Sequence, residues 1–190
     1  MNFVWPALMV VSALVASASP GVAGYDSAMV CALLTPQELA AAGIAITAQG
    51  LMPDESLFLK KGELPGLITD VQIDECTSEM AVEYPAFPIR WSVGTSKDPM
   101  DRKAWDKMVE ALGQGTRESA EHVEQRFTIE GVDCETFSWS DKTGKQTYAM
   151  SCTGHKGIRH VTLEVAHLDR TKLLPVKAVK QLLDKMFARL

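Results

Sequence analysis

Polar and apolar residues alternate most cleanly over Phe87–Val93. Phe87, Ile89, Trp91 and Val93 fall on one side, and Pro88, Arg90 and Ser92 on the other. A period of two predicts a half-buried strand. The same period returns near the C-terminus, where Val161, Leu163 and Val165 alternate with His160, Thr162 and Glu164. Val71–Met80 also reads as a strand, running through Cys76. Val123, Phe127 and Ile129 share one face of another, with Gln125 the exception. A helical period takes over twice. Trp105, Met108, Val109 and Leu112 stand at i, i+3, i+4 and i+7, with Asp98-Pro99 expected to open that helix and Gly113 to close it. Val176, Val179, Leu183, Met186 and Leu190 form the stripe of a C-terminal helix starting near Pro175. A shorter helix, Pro36–Ala42, is announced by Thr35-Pro36-Gln37-Glu38. Thr35 is its cap, Pro36 suits its first position, and Glu38 can reach back to the cap.

One connection can be read in detail. The runs Val132–Ser140 and Gln146–Thr153 flank Asp141-Lys142-Thr143-Gly144-Lys145. A loop of Lys142-Thr143-Gly144 puts Gly144 at the left-handed position. Facing residues then sum to about 286, which sets Cys134 opposite Cys152. Strands joined by short turns predict an α+β fold: an antiparallel sheet of about five or six strands with helices packed on its faces. Ile44–Thr47 reads as a short strand. Residues 48–70 hold Gly50, Pro53, Gly62, Pro65 and Gly66 and show little pattern. They read as a long surface excursion carrying an apolar patch, Leu57-Phe58-Leu59, the best candidate for a partner surface.

Charge is absent from residues 1–24, and Phe3–Ala16 is almost wholly apolar. Small residues follow from Ser17 to Gly24. This predicts a signal peptide over residues 1–23, cleaved after Ala23, with Ala18 as the other site and an uncleaved anchor as the rival. Residues 24–190 would then form a single exported domain, periplasmic or secreted, with no membrane span after cleavage. The 190 residues are 46% hydrophobic and 23% charged, with a formal net charge of −5. That excludes a disordered chain. Nineteen basic against 24 acidic residues exclude a generic binder of nucleic acid. Cys31, Cys76, Cys134 and Cys152 make an even count, which reads as disulfides in an exported chain. With Cys134 facing Cys152, the remaining pair is Cys31–Cys76. No C-x-x-C points to redox chemistry.

The decapeptide Cys31-Ala32-Leu33-Leu34-Thr35-Pro36-Gln37-Glu38-Leu39-Ala40 resembles the opening of a class of secreted bacterial domains of unknown function. Many of these are lipoproteins that begin C-x-L-L-T-x-x-E-hydrophobic-A. They carry a second cysteine before a central strand and end in a strand and an amphipathic helix. Their fold is similar to the α/β/α sandwich of PsbP, an extrinsic photosystem subunit. The resemblance implies a PsbP-like sandwich and a non-catalytic envelope protein, and it transfers no functional residue.

The histidines are His122, His155, His160 and His167. Metal binding needs two of them on one face at short spacing. His160 and His167 are seven apart and face opposite ways on a strand. His155, in a Gly154-His155-Lys156-Gly157 turn, would approach His160 only if the strand curls. These two are the candidate metal ligands. The acidic stretches Asp70, Asp74, Glu75, Glu79 and Glu118, Glu121, Glu124 read as solvated faces rather than a glycosidase pair. No G-x-S-x-G, Walker A or G-x-G-x-x-G occurs. Lys172, Lys177, Lys180, Lys185 and Arg189 give the last helix a basic outer face, suited to an acidic partner or anionic lipid. The expectation is therefore an exported, non-catalytic envelope binding or accessory protein, with no catalytic residue and no cofactor. Its partner would be an envelope protein or a small ligand. The alternatives are an enzyme with a site assembled from distant residues, or a metal or small-ligand carrier using His155 and His160.

Overall fold

Antiparallel hairpins organise the molecule. The computed structural model describes residues 26–44, 50–78, 89–108, 122–140 and 144–190. The expected leader over residues 1–23 lies outside them, as do most of the expected strand Ile44–Thr47 and the residues Val109, Leu112 and Gly113. The described strands are β1 (Leu51–Pro53), β2 (Leu57–Leu59), β3 (Val71–Ser78), β4 (Ile89–Ser96), β5 (His122–Ile129), β6 (Val132–Ser140), β7 (Gln146–Lys156) and β8 (Arg159–His167). They build one eight-stranded antiparallel sheet in the order β1-β3-β4-β8-β7-β6-β5, with β2 also paired to β3. The fold is α+β, but eight strands replace the expected five or six. The additional pair is β1 and β2, inside the segment read as an excursion. Three residues each is too short for alternation to register in a sequence.

The β6–β7 ladder runs in the expected register. Cys134 faces Cys152 and Ser140 faces Gln146, and Gly144 takes a positive φ of 81°. Both disulfides are present, Cys134–Cys152 within this hairpin and Cys31–Cys76 between elements far apart in the chain. Two disulfides are the mark of an oxidising compartment. Among the described residues, no helix is long and apolar enough to cross a membrane.

One sheet face is covered by α1 (Ser27–Cys31), α2 (Pro36–Ala41) and the C-terminal helix Val176–Arg189. Ile89, Trp91 and Val93 of β4 and Val161, Leu163 and Val165 of β8 meet Val30, Leu34, Leu39, Val179, Leu183 and Met186 there. Cys76 stands opposite Trp91 in the ladder, and the Trp91 indole N–H donates to Val30 O at 2.9 Å. Thus α1 is held to the sheet by a covalent bond and an adjacent hydrogen bond. The expected capping box forms: Thr35 Oγ1 accepts from Glu38 N, and Glu38 accepts from Thr35 N at 3.0 Å. Gly43 follows at φ 94°.

The opposite face carries α3, whose described turns span residues 102–108. The C-terminal helix Val176–Arg189 is hereafter α4. Asp101, not Asp98-Pro99, opens α3: its Oδ1 accepts from Ala104 N at 2.8 Å. Asp98 instead accepts from Thr69 Oγ1 at 2.9 Å. Trp105 and Met108 pack with Leu59, Leu67, Val71 and Met100 in a second core. In β5 the register shifts between Val123 and Gln125. This bulge sends Val123 to the α3 face, against Phe137, while Phe127 and Ile129 stay on the helical face. The expected single face for all three residues is therefore corrected, and Gln125 was its trace in the sequence.

Candidate functional site

A two-residue turn, Gly157-Ile158, joins β7 to β8, with Gly157 at φ 64°. Lys156 faces Arg159, so His155 faces His160. The turn lies three residues beyond its expected start at Gly154, and no curling of the strand is needed. In such a hairpin the closing pair carries the hydrogen bonds and the next pair does not. Side chains of a non-hydrogen-bonded pair lie closest across the ladder. His160 in turn faces Gly94 of β4, and Gly94 faces Ile73 of β3. Trp105 descends from α3 onto this row. Its ring stacks on His160 with centroids 4.7 Å apart and 12° between planes, and it meets His155 at 6.3 Å and 55°. A Cβ at position 94 would come within 2.9 Å of the indole, so glycine is what admits the tryptophan.

His160 is 5% exposed. Its two ring nitrogens, Nε2 of His155 and Nε1 of Trp105 are buried with no hydrogen-bond partner among the described residues. Burial, then the neighbouring charge of His155, pushes the His160 pKa down to about 3, so this imidazole is neutral near pH 7. Among the described residues no three His, Cys, Asp or Glu side chains gather as a metal cluster. His167 lies on the other face, where its Nδ1 accepts from Asp169 N at 2.8 Å. The side chain of His122 lies outside the described residues.

The second region is the sheet edge formed by β1 and β2. Strand geometry divides the expected apolar patch. Leu57 and Leu59 face Ile73 and Val71, whereas Phe58 faces Gln72 on the opposite side. Leu59 is buried in the α3-side core, which corrects its place in the patch. Leu57 and Phe58 remain 45% and 62% exposed. Beside Leu57 opens a recess of about 360 Å³, lined by Asp54, Glu55, Leu57, Ile73 and Glu75.

The acidic stretch read as a solvated face is more varied. Asp74 is fully buried and accepts from Ser56 Oγ at 2.5 Å and Gln72 Nε2 at 2.9 Å. Glu75 is half-buried at the recess. Its pKa is raised by burial, with Arg90 opposing the shift and Asp54 and Glu164 adding to it. Arg90 lies 3.0 Å from Glu164 and 3.9 Å from Glu75. The basic face of α4 is largely engaged inside the molecule. Lys185 and Arg189 pair with Glu38 at 3.1 and 2.8 Å, and Lys180 pairs with Asp184 and Glu130.

No protein-family model, curated protein or solved structure matches the chain. The sequence singles out His155 and His160 but not the register that sets them face to face, because Gly154 and Gly157 offer two places for one turn. The signal that would have found it is Lys156-Gly157-Ile158-Arg159, whose two-residue loop makes facing residues sum to 315.

Proposed function

We propose that the chain is an exported, non-catalytic accessory protein of the cell envelope that binds an extended, basic segment of a partner protein along its β1–β2 edge. The observation that carries this reading is the exposure of Leu57 and Phe58 on a strand paired to β3. Large apolar side chains on a sheet edge suit strand addition by a partner. The recess beside Leu57 supplies the charge preference through Asp54, Glu55 and Glu75. The disulfides and the apolar N-terminal run support export, and the decapeptide at Cys31 supports kinship with PsbP-like envelope domains.

The test is a photo-crosslinking residue placed at position 58 in the producing cell. Exposed Met29, in α1, serves as the control position. We expect one adduct from position 58, none from position 29, and loss of the adduct when Glu55→Lys reverses the recess charge. No adduct from position 58, or an adduct insensitive to Glu55→Lys, overturns the reading.

A further inference from the structure

We infer that His155 and His160, facing each other beneath Trp105, form a two-coordinate site for a monovalent d10 metal ion, Cu(I) in chemical class. Three observations converge on it. First, the register makes the two histidines direct cross-strand neighbours in a non-hydrogen-bonded pair, where Cβ atoms stand about 4.5–5.5 Å apart. Two imidazoles at that spacing can bracket one ion at metal–nitrogen distances of about 2 Å. Second, both ring nitrogens of His160 and Nε2 of His155 are buried without a hydrogen-bond partner among the described residues. A buried polar atom left unpaired is costly, and a group held that way calls for an explanation such as an ion. Third, Gly94 makes room for Trp105 to cover the pair, so the site is closed by an aromatic wall.

The donor set selects the metal. All four cysteines are committed to disulfides, and no third His, Asp or Glu joins the pair among the described residues. Zn²⁺ in protein sites takes four ligands in a tetrahedron, and Cu²⁺ takes a tetragonal set of nitrogen and oxygen. Cu(I) and Ag(I) are satisfied by two nitrogens in line. A single charge is also easier to bury than a double one, because the desolvation penalty rises with the square of the charge. The wall itself is soft, since Met100 and Met108 pack with Trp105. The site lies on the α3 face, apart from exposed Phe58, so its failure and failure of the edge-binding reading are separately visible.

The probe is Ag(I), a redox-inert stand-in, titrated as the nitrate into the chelator-treated, disulfide-intact protein in chloride-free buffer. Native mass spectrometry reads stoichiometry, ¹⁵N shifts of the imidazoles read the ligands, and Trp fluorescence reads the wall. We expect one Ag(I) per chain with a Kd below about 10 μM, and shifts confined to His155 and His160. His155→Asn should weaken binding about a hundredfold while the far-UV spectrum and the metal-free Tm stay near those of the parent. That variant keeps the test sound even if His160→Gln fails to fold. Overturning results are no 1:1 complex at that affinity, equal or tighter binding of Zn²⁺, or Ag(I) binding unchanged in His155→Asn, which would place the ion on a methionine.

Discussion

Two tryptophans, each at most 1% exposed, lie on opposite faces of the same sheet. Trp91 donates its indole N–H to Val30 O at 2.9 Å, beside the Cys31–Cys76 bond. Trp105 has no such acceptor among the described residues and stacks on a histidine whose nitrogens are equally unpaired. Burial of apolar area stabilises both residues. The difference is in the polar atoms. Around Trp91 the indole N–H is hydrogen-bonded and a covalent staple stands beside it. Around Trp105 the α3 face holds several buried nitrogens at a cost. Sequences usually avoid that cost, and the places where they accept it are where function is to be sought.

The largest expected effect concerns the staple. Replacing Cys31 and Cys76 together by serine opens a 45-residue separation, for which loop entropy predicts a loss of about 4 kcal/mol. The same change at Cys134 and Cys152, separated by 18, predicts about 3 kcal/mol. Guanidinium unfolding of the two double variants compares them directly. A larger loss from the hairpin bond would mean that the Trp91–Val30 contact already fixes α1, and would weaken the case for a stapled helical face.

Next comes the tryptophan pair itself. Trp91→Phe removes the indole donor from Val30 O, which keeps Leu33 N at 3.1 Å, and opens a small cavity, for a combined cost of about 2 kcal/mol. Trp105→Phe opens a similar cavity but removes an unpaired donor, so its cost should be about 1 kcal/mol. Both are measured on chelator-treated protein, so that no bound ion contributes to stability. Equal costs would erase the contrast between the faces.

That contrast was only half legible in the sequence. Elements longer than about seven residues with a clean period, β4, β8 and α4, announced themselves. The register of β6 on β7 followed from Gly144, because one loop had one good site for a left-handed residue. The β7–β8 register did not, since Gly154 and Gly157 compete for the turn and differ by enough to separate or join the histidines. The α3 start was misplaced because Asp98-Pro99 imitates an opening that Asp101 performs. The edge strands β1 and β2 were invisible, being fixed by pairing with β3 rather than by any pattern of their own. The apolar run Leu57-Phe58-Leu59 of the proposed partner surface was visible in the sequence, but its division by the pleat into Leu57 on one side and Phe58 on the other needed the ladder.

The smallest effect asks how much of the helical face depends on charge. Glu38 serves twice, as the third residue of the α2 capping box and as the acceptor for Arg189 and Lys185 of α4. The Arg189 guanidinium, followed by the Thr35 backbone N–H, holds its carboxyl well below the usual carboxylate range. A depressed folded pKa means that its contribution is complete above the ordinary value of 4.5 and is lost as pH falls below it. Glu38→Gln keeps an acceptor for the cap but removes the ion pairs. Because those pairs meet water, the loss at pH 7 should be at most about 1 kcal/mol. Glu38→Ala removes the box as well and should cost about 1–2 kcal/mol. Thermal melts from pH 6 to pH 3 separate the two roles. The parent should lose more Tm than Glu38→Gln over that interval, and added salt should narrow the gap between them at pH 6. Parallel melting curves across the whole range would mean that α2 is held by Leu34 and Leu39 alone, and that the helical face owes its stability to packing and disulfide without an electrostatic clamp.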